Sequence, residues 1–167
     1  MSATMFDVMQ LNERHDRNSF YSGSESLDRY FQKQVGQDVR RRVAACFVAL
    51  YDHQVVGYYT LAAASIRLTD LPTTIIKKMP RYPTVPAVRM GRLAVDHIFR
   101  NQGLGGALLA DALERTIRSE IASYALLVDA KDDNAAQFYQ YHGFLALSDL
   151  PFTLFLPLMT VNKKRKK

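Results

Sequence analysis

The chain of 167 residues has a single cysteine, so no internal disulfide can form. Cys46 sits in the middle of Val43–Leu50, where a buried strand position explains it better than an acyl-accepting nucleophile. That run is the longest wholly apolar stretch, far below the ~20 residues that span a bilayer. The first residues, Met1-Ser-Ala-Thr-Met-Phe-Asp, have neither a basic nor a hydrophobic leader segment, and the expectation is a cytoplasmic protein without a membrane anchor. The four histidines stand apart and pair with no cysteine, so no metal site is expected. Internal repeats and Gly/Ser-rich linkers are absent too, which predicts one domain over residues 1–160 followed by a basic tail over 161–167. Finally, no acid occurs between Leu71 and Val95, while Lys77, Lys78, Arg81, Arg89 and Arg92 all do.

The formal charge of +6 is misleading as it stands. Lys163-Lys-Arg-Lys-Lys167 supplies five of those charges, leaving 17 basic against 16 acidic residues elsewhere. Distribution therefore matters more than the total. Arg40-Arg41-Arg42 forms a second cluster, which a solvated helix C-terminus explains nearly as well as a binding role.

Apolar periodicity alternates between strand and helix. Met5 to Leu11 reads as a strand, and Ser22-x-x-Glu25 as a capping box for a helix with Leu27, Tyr30, Phe31, Val35 and Val39 on one face, ending near Arg42. Ala45 to Tyr51 and Val55 to Ile66 read as strands joined by a hairpin-length loop. Leu71 to Lys78 suggests a short helix, with an extended loop imposed by Pro80, Pro83 and Pro86. Val88 to Asp96 is the next strand, followed by a helix from Gly103 to about Arg118. Tyr124 to Asp129 reads as a buried strand and Asp133 to Tyr141 as a helix closed by Gly143. Phe144 to Leu147 with Phe152 to Leu156 form a final strand pair.

Between the Val88 strand and the next helix lies Arg100-Asn101-Gln102-Gly103-Leu104-Gly105-Gly106. Three glycines at a helix start leave backbone N–H groups unobstructed, where the helix dipole favours an anion such as a pyrophosphate, and Arg100 adds a cation. A Walker loop would need Lys-Ser/Thr after its last glycine, whereas Gly106 is followed by Ala107-Leu108. The dinucleotide fingerprint fails on the position of the third glycine.

Arg100-x-x-Gly103-x-Gly105 after Leu93-Ala94-Val95 resembles the acetyl-CoA motif of the GNAT N-acetyltransferases. Cys46-Phe-Val-Ala-Leu50, Val56-Gly-Tyr-Tyr-Thr-Leu61, Leu127-Val-Asp-Ala130 and Ala135-Ala-Gln-Phe-Tyr139-x-x-x-Gly143-Phe144 follow in the family's order, from about Met5 to Pro157. The resemblance implies an α/β fold (α+β in some schemes), with a mixed central sheet splayed at the cofactor site and helices on both faces. It further implies acetyl-CoA held by Leu93, Ala94, Val95, Arg100, Asn101, Gln102, Gly103, Leu104, Gly105, Gly106, Asn134 and Tyr139. Acetyl transfer needs an oxyanion donor, a positioned amine and an acid for the departing thiolate. The resemblance assigns the first to backbone N–H near Val95 and the last to Tyr139, with Asn134 on the pantetheine amides. Packing is the competing reading for Tyr139, and an N-cap or turn role for Asn134.

Within that superfamily, Gly23-x-x-x-Leu27-Asp28-x-Tyr30, Gly91-Arg-Leu-Ala-Val-Asp96 and Leu154-Phe-Leu-Pro157 are similar to the acetyltransferase toxins of bacterial toxin–antitoxin pairs. That likeness implies aminoacyl-tRNA as substrate and a ribbon-helix-helix antitoxin as partner, and it admits a homodimer. Ser22 departs from relatives that carry cysteine there. A separate argument comes from acidity: an α-amine titrates near 7.7–8.0 and attacks unaided, whereas a lysine amine near 10.4 needs a base. No clear base is present: Asp96 and Asp129 are candidates, but both sit at strand ends where turn or cap roles suffice. Lys77, Lys78, Arg89 and Arg92 are the candidate RNA contacts. The alternative is acetylation of a small amine such as a polyamine or aminoglycoside, or of a protein amine; cationic small amines would prefer an acidic pocket over this basic stretch.

Overall fold

The computed structural model describes residues 6–165, with side chains described as far as Val161. Seven strands are ordered β1-β2-β3-β4-β5-β7-β6. They are β1 Asp7–Gln10, β2 Ala45–Tyr51, β3 Gln54–Arg67, β4 Thr84–Val95, β5 Ala125–Asp129, β6 Leu145–Leu147 and β7 Leu150–Pro157. The helices are α1 Glu25–Arg29, α2 Val35–Arg40, α3 Thr73–Ile76, α4 Leu104–Arg118, α5 Asp133–Tyr141 and α6 Leu158–Arg165. The mixed sheet with interspersed helices is the architecture the family resemblance implies. By contact density the chain forms two compact units, one built from the residues up to Ala62 with Gly91–Ala112, the other from Ala63–Met90 with Leu113 onward.

In the first unit, β2 pairs antiparallel with β1 from Asp7↔Leu50 to Gln10↔Phe47 and with β3 from Ala45↔Leu61 to Tyr51↔Gln54. Asp52 and His53 make the β2–β3 turn with φ of 51° and 67°, the left-handed pair a two-residue hairpin needs to match strand twist. Apolar side chains from the sheet meet the helical layer in one aromatic core. The Phe31 ring stacks on Tyr58 at 4.3 Å and 14°, and Phe20 sets its edge against both at 5.3 and 5.5 Å. Tyr58 is fully buried because its hydroxyl donates to the Leu27 carbonyl at 2.7 Å. Cys46 belongs to this core, its thiol pushed up to about 12 by burial, which makes it an inert packing group.

The expected capping box at Ser22 and Glu25 does not form. Ser24 is the N-cap and makes no side-chain cap bond, while Ser22 turns to the buried Asp28 instead. The helix predicted to run unbroken to Arg42 is also interrupted: Tyr30–Gln34 is a π-helical segment between α1 and α2, and α2 ends at Arg40. Arg42 then adopts φ of 60° as the chain leaves for β2.

The second unit surrounds β5, whose residues Ala125–Val128 are all buried, as expected for a strand covered on both faces. It pairs parallel with β4 from Ala87↔Ala125 to Met90↔Val128 and antiparallel with β7 from Ala125↔Pro157 to Asp129↔Thr153. The β4–β5 ladder ends at Met90, and β4 itself runs on to Val95. Ile66, Leu71, Val85, Leu127, Leu147 and Phe155 fill the core of this unit. Pro86 sits within β4 rather than in a loop, so that strand begins four residues before the predicted Val88. A helix, α6, replaces the start of the predicted basic tail; the side chains from 162 onward, and Lys166 and Lys167 entirely, lie outside the described residues.

Gly57 on β3 marks a close approach between sheet and helix in the first unit. A Cβ there would stand 2.8 Å from Leu108 Cδ1, 3.2 Å from the Ala94 carbonyl oxygen and 3.4 Å from Leu104 Cδ2, so the glycine sets how closely the start of α4 lies on the sheet. Gly57→Val is expected to destabilise the fold by about 1–3 kcal/mol through overpacking, measured as a lower denaturant midpoint at unchanged slope.

Candidate active site

The first unit carries the glycine-rich loop. Leaving β4, the chain turns at Asp96, whose carboxylate accepts from the backbone N–H of Ile98 at 3.1 Å and of Tyr21 at 3.3 Å and lies 3.3 Å from His97 Nδ1. Those bonds make Asp96 a cap for the turn His97–Phe99. Asn101 at φ 63° and Gly103 at φ 80° then bend the chain into α4. Nothing lies within 4 Å of where a Gly103 Cβ would be, so the loop backbone is open to a ligand, and the Gly103 carbonyl accepts from Ala107 at 3.0 Å to start the helix. A helix start leaves the next N–H groups, those of Leu104, Gly105 and Gly106, without intrahelical acceptors. Leu104 is buried and anchors this turn, while Asn101, Gln102 and Gly103 are exposed. Leu93 and Val95 are half-buried and Ala94 buried on the strand before. Bare N–H donors, an open backbone and a cation beside them fit a pyrophosphate.

Arg100 does not hang free. Its guanidinium donates to the Ser22 carbonyl, and a Cβ at Gly23, which has φ of 93°, would collide with it. Ser22 is held in turn by Asp28, whose carboxylate accepts from the Ser22 amide at 2.9 Å and hydroxyl at 2.7 Å. Sequence reasoning used Gly23 and Asp28 only as points of resemblance. Their work is to position the arginine of the loop, and its one signal in the sequence is a glycine five residues ahead of an acid.

Tyr139 belongs to the second unit, on α5. Asp132 caps that helix, accepting from Ala135 N–H at 2.8 Å, so Asn134 is not the cap and stands exposed in the first turn. At the other end Gly143 takes φ of 95°; its N–H reaches the Gln140 carbonyl and the Phe144 N–H reaches the Tyr139 carbonyl, at 3.0 and 3.1 Å. This paired glycine stop fixes where Tyr139 sits. Its ring is 5% exposed and lies against Phe138 and Phe144. The hydroxyls of three other buried tyrosines are committed: Tyr30 to Asp38, Tyr58 to Leu27 and Tyr59 to Asp111. No hydrogen bond among the described residues engages that of Tyr139. Since no fully buried side-chain polar atom among the described residues is left unpartnered, this hydroxyl reaches solvent. Burial, and then the negative charge of Asp129, push its pKa well above the ordinary phenol value, so it holds its proton throughout the physiological range.

The predicted basic residues have different surroundings. Lys77 and Lys78 are exposed at the end of α3. Arg89 pairs with Asp129 at 2.6 Å, which ties down one of the two candidate bases. Arg92 lies over the Tyr30 ring, 3.5 Å from its centroid, in the first unit. Tyr58 and Tyr59, adjacent on β3, are both fully buried. Among the described residues no group of side chains fits a metal ion, and no helix is long and apolar enough to cross a membrane.

Residues 42–145 match the model of the acetyltransferase (GNAT) domain. The chain belongs to the GNAT acetyltransferase family. This acetyltransferase is 36% identical over 137 residues, 81% of each chain, to the tRNA-acetylating toxin of Mycobacterium tuberculosis. It is 29% identical to the probable toxin TacT of Sinorhizobium fredii over 89% of its own length and 88% of that protein. Among solved structures it resembles AtaT complexed with acetyl-methionyl-tRNAfMet, with a TM-score of 0.86, 26% identity and coverage of 96% and 99% of the two chains. AtaTR bound with acetyl-CoA gives a TM-score of 0.80 at 25% identity, covering 96% and 98%.

Gly105→Asp sets a carboxylate among the donors that open α4. The expected result by calorimetry is a loss of acetyl-CoA affinity of about 100-fold in a protein that remains folded by circular dichroism, since a like charge meets the pyrophosphate. Unchanged affinity would remove the loop from the cofactor site.

Proposed function

We propose that this GNAT enzyme transfers acetyl from acetyl-CoA to the α-amino group of aminoacyl-tRNA, that the modified tRNA is lost to translation, and that a ribbon-helix-helix antitoxin neutralises the enzyme. The observation that carries the reading is likeness over most of the chain to a protein named tRNA-acetylating toxin, supported by likeness to AtaT in complex with acetyl-methionyl-tRNAfMet. The antitoxin follows from the same toxins, and a cytoplasmic site of action from the location of charged tRNA. A single catalytic domain over residues 1–160 remains the simplest organisation consistent with a family match that begins in one unit and ends in the other.

In this reading acetyl-CoA supplies an activated acyl group on a thiol leaving group. Arg100 and the N–H groups of Gly103 to Gly106 bind the pyrophosphate, with Asn101, Gln102 and Leu104 shaping the loop. The backbone of Leu93, Ala94 and Val95 holds the pantetheine arm and polarises the carbonyl, and Asn134 hydrogen-bonds the pantetheine amides. Tyr139 donates its proton to the sulfur as it departs, a task suited to a phenol that is protonated and unengaged. No base is assigned. Asp96 caps a turn and Asp129 pairs with Arg89, so the amine must arrive neutral through its own low pKa, which favours an α-amine over a lysine.

Three outcomes test this reading. Tyr139→Phe keeps the ring and deletes the acid, so turnover is expected to fall by about 100-fold or more with stability unchanged, and growth arrest on expression should be relieved. The wild-type rate should rise with pH through the α-amine range near 8 and show no descending limb up to about pH 10, because the raised phenol pKa extends the protonated form upward. Separately, labelled acetyl-CoA should mark total charged tRNA rather than spermidine or free amino acids. Label on spermidine and none on tRNA would replace the toxin reading with a small-amine acetyltransferase.

A further inference from the structure

The second unit holds an apolar groove of about 750 Å³, and none of the residues assigned above to acetyl-CoA lines it. Its lining comes from Ile75 on α3, Leu113 on α4, Leu145 on β6, Leu156 on β7, and Met159 and Val161 on α6. The apolar surface is open to water: Met159 is 66% exposed and Leu145 49%. A concave cluster of large apolar side chains left in solvent is unfavourable, and a partner that inserts its own side chains removes that cost. The volume equals that of many small-molecule pockets, so the groups around it decide what it takes.

Those groups are donors and cations. Lys78 and His142 belong to the lining, and no carboxylate does among the described residues. Lys78 is exposed and forms no ion pair among the described residues, and no hydrogen bond among them engages the hydroxyl of Tyr124, which also lines the groove. The helix that supplies Met159 and Val161 continues through Lys163-Lys164-Arg165, and Lys166-Lys167 follow in the sequence. An apolar bed bordered in this way selects a ligand with apolar anchors and acids beside them. RNA supplies the charge and has no aliphatic side chains to bury. A second copy in a two-fold contact would set the cationic border of each subunit against that of the other, because such a contact pairs identical patches. A protein segment with apolar residues at helical spacing and acids between them meets both conditions. We infer that this groove docks an acidic amphipathic helix of a partner protein, its apolar face on Leu145, Leu156 and Met159 and its acids toward Lys78, His142 and the basic end of α6. The inference stands apart from the tRNA reading and does not rest on it.

The probe is a fluorescein-labelled synthetic peptide of about 14 residues, with leucine at every third or fourth position and glutamate at the rest, titrated with the full chain by anisotropy. The expected dissociation constant is in the range of about 1–50 μM, with polyglutamate of equal length and a peptide of equal composition whose leucines are moved off helical spacing about tenfold weaker or more. In the double variant Leu145→Glu, Met159→Glu, both at exposed positions, affinity for the amphipathic peptide should drop about tenfold or more, while circular dichroism and acetyl-CoA affinity stay as in the wild type. Replacing Lys78, Lys163, Lys164 and Arg165 by glutamine should weaken the peptide about fivefold and flatten the salt dependence of its binding. Equal affinity for polyglutamate or for the respaced peptide would leave only a charged surface and overturn the docking site. So would full peptide affinity in the folded double variant, or no binding of the amphipathic peptide at any salt concentration. If light scattering shows a wild-type dimer that the double variant does not form, the occupant is a second copy and the inference falls.

Discussion

The opening turn of α4 must leave backbone N–H groups without intrahelical partners, and much of the first unit is organised to keep them open and to hold a cation beside them. Gly103 reaches its left-handed φ of 80° with empty space around it, which a Cβ would make strained. Leu104 buries its side chain directly after, so the turn is pinned from below while its donors face outward. The approach of the helix to the sheet is in turn set by Gly57, where Leu104, Leu108 and the Ala94 carbonyl all crowd the missing Cβ. Arg100 is steered by a chain of polar contacts through the Ser22 carbonyl to the buried carboxylate of Asp28. A buried acid that holds the Ser22 segment thereby governs a surface cation.

Tyrosine hydroxyls tell a parallel story about which polar groups are structural. Burying a phenol without a partner is unfavourable, and Tyr30, Tyr58 and Tyr59 each find one, in a carboxylate or a backbone carbonyl. Tyr139 buries its ring as thoroughly and leaves its hydroxyl unengaged at the surface. Packing alone accounts for the ring. It does not account for the free hydroxyl, which is why an acid role suits this tyrosine better than the others.

Charge is distributed by folding, not by the sequence interval that first draws attention to it. The acid-free stretch before the glycine loop suggests one basic surface, yet Arg89 is neutralised by an aspartate forty positions on and Arg92 is stacked on an aromatic ring of another element. Conversely, Arg17 and Arg40 are far apart along the chain, and both guanidiniums pack against Gly36.

Strand and helix order were legible in the sequence because apolar periodicity and glycine placement are local: α4 and α5 carry the bounds expected of them, and Gly143 closes α5 as its position implies. The glycine loop was legible for the same reason, since a helix start stripped of side chains is a property of consecutive residues. Which side chain serves which helix end was less legible. Ser22 gave up a capping box for Asp28, and Asp132 took the cap position considered for Asn134. Only tertiary structure decided which arginines are free, which tyrosine hydroxyl is unengaged and which carboxylates are occupied, because each depends on contacts between segments that the one-dimensional pattern leaves unpaired.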